Sequence, residues 1–231
     1  MPAARSFCPL MRGVKPLSMN LKCIIFDLDG TLVDSESLSS KALLDLLPVI
    51  DESVEILTDR YHGKKIAEIF IDIERRFKFS IPEGFESLYR QHAAQLFENE
   101  LKPVPGVAVM LDQVKHPRCI ASNGPLAKMI HSLKITGLGK YFGSNLFSAY
   151  EIGTWKPDPG LFLHAAREMG FKPEECVVVE DSLTGIKAAT SADMVVLHYS
   201  SKPIEQNGKT YCVFDDMADL PILLQRYGSA P

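Results

Sequence analysis

The chain has 231 residues, with 25 Lys and Arg against 29 Asp and Glu and a formal net charge of −4. Hydrophobic residues make up 46% and charged residues 23%, proportions that suit a chain burying a core and exclude a disordered or fibrous one. The acidic balance argues against a nucleic-acid partner, which needs a basic footprint. The apolar stretch from Ala42 to Ile50, broken by Asp45 and Pro48, falls short of the roughly 18 residues that cross a bilayer, so no membrane role is expected.

In chain order, residues 1–20 are proline-rich, carry Arg5, Arg12 and Lys15 and lack the continuous apolar segment of a secretory signal, which predicts a flexible tail. From Cys23 to Phe26 a β-favouring run leads into Asp27-Leu28-Asp29-Gly30-Thr31, a strand ending in an acidic loop. Helical periodicity dominates from about Ser35 to Leu101, with apolar faces in Leu38 to Leu47, Ile66 to Phe77 and Phe85 to Phe97. Lys102-Pro103-Val104-Pro105-Gly106 reads as a stiff return linker. Beyond it, apolar runs at Arg118 to Ala121, Cys176 to Val179, Met194 to His198 and Tyr211 to Phe214 alternate with helical patterns. Those patterns lie at Val107 to Lys115, Leu126 to Leu133, Gly160 to Met169 and Leu183 to Ala189.

The expected fold is α/β: a Rossmann-like, doubly wound parallel sheet built from residues 21–34 and 103–231, with an α-helical cap inserted over residues 35–102. Five cysteines (Cys8, Cys23, Cys119, Cys176 and Cys212), odd in number and without a CxxC, read as reduced packing thiols of a cytoplasmic protein.

Ligands of such sheets bind outside the carboxyl ends of the strands, so the chemistry is sought just after each apolar run. Asp27 and Asp29 stand at i and i+2, which in an extended segment sends both carboxylates to one side. The same DxDG pattern also occurs in calcium loops and capped turns. Ser122-Asn123-Gly124-Pro125 brings a hydroxyl and backbone amides to a helix entry, suited to phosphate oxygens or to a plain cap. Trp155-Lys156-Pro157-Asp158-Pro159 holds a lysine, by itself most simply a surface charge, between rigid flanks. Glu180-Asp181-Ser182 places adjacent carboxylates at another strand end, where they would also complement a helix N-terminus.

In this order, and from about Leu21 onward, these four elements resemble the four motifs of the haloacid dehalogenase superfamily. Asp27 through Glu36 matches the first motif almost throughout, and Gly185 with Ala188-Ala189 extends the match of the fourth. The helical insert is similar to the cap of the β-phosphoglucomutase-like branch. The resemblance implies a phosphatase in which Asp27 is the nucleophile that forms an aspartyl-phosphate, and Asp29 protonates the leaving alcohol and then activates water. It implies phosphate binding by Thr31, Ser122, Asn123 and Lys156. It also implies Mg2+ held by the Asp27 side chain, the Asp29 backbone carbonyl and Asp181, with Glu180 assisting. Four carboxylates would repel one another and a dianionic substrate without the cation and Lys156, so electrostatics point to metal dependence as well. The implied partner is a small phosphorylated metabolite, and the implied assembly a monomer or weak dimer.

Dehalogenases lack the second aspartate, so Asp29 argues against halide displacement. Mutases of the cap-bearing branch place a histidine twelve residues after the nucleophile, where this chain has Ser39, and an arginine three residues after the cap glycine, where Ile66 follows Gly63. Both departures favour a hydrolase over a β-phosphoglucomutase-like mutase; a non-catalytic phosphate-binding or phospho-acceptor domain is the further alternative. Gly63, Lys64 and Lys65 are the cap residues expected to face substrate. The segment from Ser122 to Pro159 looks like bacterial phosphatases acting on 6-phosphogluconate and related sugar phosphates. His62, His92, His116, His131, His164 and His198 show no ligand spacing and read as surface or packing residues.

Overall fold

The computed structural model describes residues 20–200 and 210–227; the tail expected over residues 1–20 lies, apart from Asn20, outside them. Strand β1 (Cys23–Phe26) is four consecutive apolar residues, all buried, because helices cover both faces of the sheet. Cys23 and Ile25 enter one apolar layer, Ile24 and Phe26 the other. The remaining strands are β2 (Arg118–Ser122), β3 (Leu146–Ser148), β4 (Cys176–Glu180), β5 (Val195–Tyr199) and β6 (Thr210–Phe214), all parallel, in the order β3-β2-β1-β4-β5-β6. Strand order reverses at β1, so the carboxyl end of β1, between β2 and β4, is the sheet's switch point.

One layer is formed with α5 (Val107–Gln113), α6 (Leu126–Ile135) and α10 (Leu220–Tyr227). The other is formed with α7 (Ala149–Ile152), α8 (Gly160–Glu168) and α9 (Leu183–Ser191). The four described cysteines are buried, and no helix among the described residues is long and apolar enough to cross a membrane.

Between β1 and α5 lie α1 (Glu36–Leu46), α2 (Val54–Tyr61), α3 (Ile66–Phe77) and α4 (Phe85–Glu100). They pack around an apolar cluster of their own that includes Leu43, Leu57, Ile73 and Phe85. The chain leaves and re-enters the core side by side: the Asp34 N–H donates to the Lys102 carbonyl and the Val104 N–H to the Leu32 carbonyl, both at 3.0 Å. Helix α2 was not expected from the apolar pattern. Its start is set by Ser53, whose hydroxyl oxygen accepts from the Ile56 N–H at 3.3 Å.

Candidate active site

Asp27 follows directly on β1, and its N–H still donates to the Val179 carbonyl of β4 at 2.9 Å, so strand pairing carries its carboxylate over the sheet edge. The Lys156 ammonium donates to Asp27 Oδ1 at 2.5 Å and to Glu180 Oε2 at 2.8 Å. It lies over the Phe162 ring, 4.7 Å from the centroid, with its side chain only 4% exposed. Asn123 holds this lysine in place: its Oδ1 accepts from the Lys156 N–H at 2.9 Å and its Nδ2 donates to the Lys156 carbonyl at 3.4 Å. The Asn123 amide, expected on phosphate, is therefore engaged by the lysine's own backbone. Ser122 is buried at the end of β2, and its Oγ accepts from the Gly124 N–H at 3.0 Å.

Asp27, Glu180 and Asp181 are all buried, and each offers a carboxylate oxygen within 4.8 Å of the others. An all-oxygen, anionic donor set of this kind suits a hard divalent cation. Asp181 is fixed on three sides. The Thr31 hydroxyl donates to its Oδ1 at 2.8 Å, His62 Nε2 lies 2.6 Å from its Oδ2, and His198 Nε2 lies 3.1 Å from its backbone carbonyl. The Thr31 hydroxyl thus orients Asp181. Glu180 Oε1 accepts from the Ser182 N–H at 3.0 Å and from its hydroxyl at 2.7 Å. Gly30, at φ +82°, leaves room for this: a Cβ there would sit 2.0 Å from Asp181 Oδ2.

Asp29 also sits at the rim, but its carboxylate does not join the other three. The extended segment expected to align it with Asp27 ends with β1, and the chain turns at Gly30, whose N–H donates to the Val33 carbonyl at 2.9 Å. Asp29 Oδ1 instead accepts from the Lys128 ammonium at 2.8 Å and the Ser35 hydroxyl at 2.5 Å.

Electrostatics separate the two aspartates. Burial pushes Asp27 well above the usual carboxylate range, outweighing the pull of Lys156, and Glu180, Asp181 and Asp29 add to the rise. Burial would also raise Asp29, but the Lys128 ammonium, the Ser35 hydroxyl and Lys156 together outweigh it and hold Asp29 below its ordinary value. The hydrogen bond to Asp181 lifts His62 to about 9, and burial lifts Glu36 to about 7. A cation among the three carboxylates would act against the rise at Asp27, because it favours the ionised form.

From the insert, Gly63 packs against the Glu180-Asp181-Ser182 turn: at φ +67°, a Cβ there would lie 2.7 Å from Ser182 Cβ. Lys64 and Lys65 are exposed, and among the described residues neither meets a carboxylate of the rim; Lys64 Nζ stands 5.6 Å from the centroid of the Tyr61 ring. His62 and His198, read from the sequence as surface or packing residues, both touch Asp181. The only local signal was the place of His62 immediately before the cap glycine. Ser39 lies against the Tyr89 hydroxyl of α4.

A parallel sheet with three buried carboxylates and a buried lysine at its switch point defines an α/β enzyme with a rim that could hold a metal ion. The chain belongs to the haloacid dehalogenase-like hydrolases, whose sequence profile matches residues 21–193. It is 36% identical to the 6-phosphogluconate phosphatase of Escherichia coli (strain K12) over 187 residues, 79% of this chain and 84% of that protein. It is 28% identical to a phosphorylated carbohydrates phosphatase of Thermotoga maritima, covering 74% of this chain and 82% of that one. Among solved structures, a conserved haloacid dehalogenase-like protein of unknown function from Agrobacterium tumefaciens superposes with a TM-score of 0.80 at 30% identity, over 89% of this chain and 98% of that one.

Proposed function

We propose that the protein is a Mg2+-dependent phosphatase that hydrolyses a small phosphate monoester, a sugar phosphate or a phosphosugar acid such as 6-phosphogluconate. The observation that carries this reading is Lys156, which bridges Asp27 and Glu180 beside the carboxylate trio. That arrangement places a nucleophile, a fixed positive charge and a cation site around one point, as phosphoryl transfer requires. The 6-phosphogluconate and phosphorylated-carbohydrate specificities of the two relatives support the substrate class.

In the first half-reaction an Asp27 oxygen attacks phosphorus, the bond from phosphorus to the alcohol oxygen breaks, and Asp29 gives that oxygen its proton. In the second, ionised Asp29 takes a proton from water as the water oxygen attacks phosphorus, and Asp27 leaves with release of inorganic phosphate. Lys128 holds Asp29 in the ionised form that the second half needs, and Asp29 takes up the proton it gives in the first half as the incoming substrate loosens that pairing. The Ser122 hydroxyl, neighbouring backbone N–H groups and Lys156 bind the phosphoryl oxygens. Mg2+, held by Asp27, Asp181 and the Asp29 backbone carbonyl with Glu180 alongside, would neutralise charge on the transferring group. Thr31, His62 and His198 keep Asp181 aimed at that position. Residues 35–102 act as the cap that covers the rim and excludes water during transfer.

The test is phosphate release from p-nitrophenyl phosphate and from a panel of sugar phosphates, phosphosugar acids, nucleotides and phosphonates. Release with Mg2+ that stops with EDTA and returns on adding Mg2+ is the expected result. No release from any of these substrates contradicts the proposal.

A further inference from the structure

We infer that Lys128 determines specificity by binding a second acidic group carried on the alcohol part of the substrate, an inference that rests on the phosphatase reading above. Lys128 stands on α6, on the core side, and its Nζ donates to Asp29 Oδ1 at 2.8 Å. It also lies 5.4 Å from the centroid of the Phe97 ring on α4 of the insert, so the ammonium occupies the seam between the two parts of the molecule. Asp29 is the group placed to serve the leaving oxygen. A cation beside it therefore reaches what is attached to that oxygen and not the phosphoryl group.

Three observations single out this lysine. Lys156 is 4% exposed and shared between two carboxylates, whereas the Lys128 side chain is 34% exposed and meets one carboxylate. The cap lysines that the sequence put forward turn elsewhere: Lys64 lies over Tyr61, and Lys65 has no carboxylate of the rim within reach. Farther along α6, His131 is answered by Glu98 of α4 at 2.8 Å, but opposite Lys128 the insert presents the face of Phe97. An aromatic face attracts an ammonium without using its N–H donors, so donors of Lys128 are left for an incoming anion. The other ionisable neighbours of Lys128 from the elements packed on it are Glu36 and Tyr89. Glu36 repels an acidic substrate, which leaves Lys128 as the group that would attract one.

The experiment compares kcat/KM for 6-phosphogluconate, fructose 1,6-bisphosphate, glucose 6-phosphate and p-nitrophenyl phosphate in wild type, Lys128→Met, Lys128→Gln and Lys128→Arg. Both neutral variants should lose about ten- to a hundredfold more on the acidic substrate than on glucose 6-phosphate, chiefly through KM, as expected for a lost charged hydrogen bond. Lys128→Arg should restore most of the preference. Two neutral replacements are used so that a folding defect in one does not decide the result. Loss confined to 6-phosphogluconate identifies the group as a carboxylate, and loss confined to the bisphosphate identifies it as a second phosphate; either supports the inference. Equal losses on all four substrates mean that Lys128 acts only through Asp29, and no acid preference in wild type means that the group is not read at all; each overturns the inference while the phosphatase reading stands. Absence of phosphate release by wild type from any substrate overturns both.

Discussion

At the core rim, Lys156 and Glu180 have side chains 4% and 1% exposed, the lysine holding Asp27 and Glu180 together and the Ser182 hydroxyl donating to Glu180 from the next residue but one. In the insert, the side chain that reaches the same rim, His62, is 35% exposed and hangs from the end of a two-turn helix. The rim is placed by a six-stranded sheet in which β1 is paired on both edges, and its polar groups are bonded to one another before any ligand arrives. The insert has an apolar cluster of its own and meets the core through Leu38, Phe97 and Leu101, which join the core's apolar layer, and around the rim through single contacts: His62 on Asp181, Gly63 against Ser182, and Phe97 over Lys128. Fixed charges that must meet a transition state belong on rigid elements, whereas groups that admit and select a substrate need a surface that can part. On the proposed reading, that difference assigns chemistry to the sheet and selection to the seam.

Breaking the rim should therefore cost far more than breaking the seam. Replacing Lys156 by Met leaves the buried Asp27 and Glu180 carboxylates facing each other without their cation. We expect turnover to fall by at least about a thousandfold, and metal-free stability to drop by about 3–5 kcal/mol, the usual cost of orphaning a buried charge. Steady-state kinetics and urea unfolding measure the two effects. At the seam, His62→Ala removes one of three supports of Asp181 while Thr31 and His198 remain. The expected loss in kcat/KM is about tenfold, with the melting temperature close to wild type; a loss as large as that of Lys156→Met would erase the distinction between rim and seam. The smallest effect belongs wholly to the insert. Glu52 pairs with Arg60 and Arg76, and Glu52→Gln should cost about 1 kcal/mol of stability or less, as partly exposed pairs do, with kcat unchanged.

Much of the core could be read from the sequence because its signals are local. Apolar runs gave β1, β2, β4, β5 and β6 within a residue or two, and the acidic loop, the Ser122 turn, the Lys156 turn and the Glu180-Asp181 pair all fall at one edge of the sheet. Strand β3 escaped because three residues at a sheet edge, two of them only half-buried, carry no periodic pattern. Helices α2 and α10 escaped as well: α2 interrupts its apolar residues with Glu55, Thr58, Asp59 and Arg60 and is marked mainly by its Ser53 cap, and α10 carries a proline in its first turn. Side-chain pairings were less legible than strand ends. His62 meets Asp181 across 119 residues, a contact that exists only once insert and core are seated together, and Lys128 meets Asp29 across 99, between two core elements far apart in the chain. Within the motifs, the Asn123 and Thr31 side chains turned inward to hold Lys156 and Asp181, because a buried lysine backbone and a buried carboxylate each require hydrogen-bond partners.

The central claim is that Asp27 attacks phosphorus, and Asp27→Asn tests it most directly, since the amide keeps the shape of the side chain and removes the nucleophile. Purified free of host phosphatases and confirmed as folded by circular dichroism, the variant should show phosphate release at least about a thousandfold below wild type with Mg2+ present. Retention of more than about a hundredth of wild-type turnover would contradict the account, because loss of a covalent nucleophile typically costs several orders of magnitude.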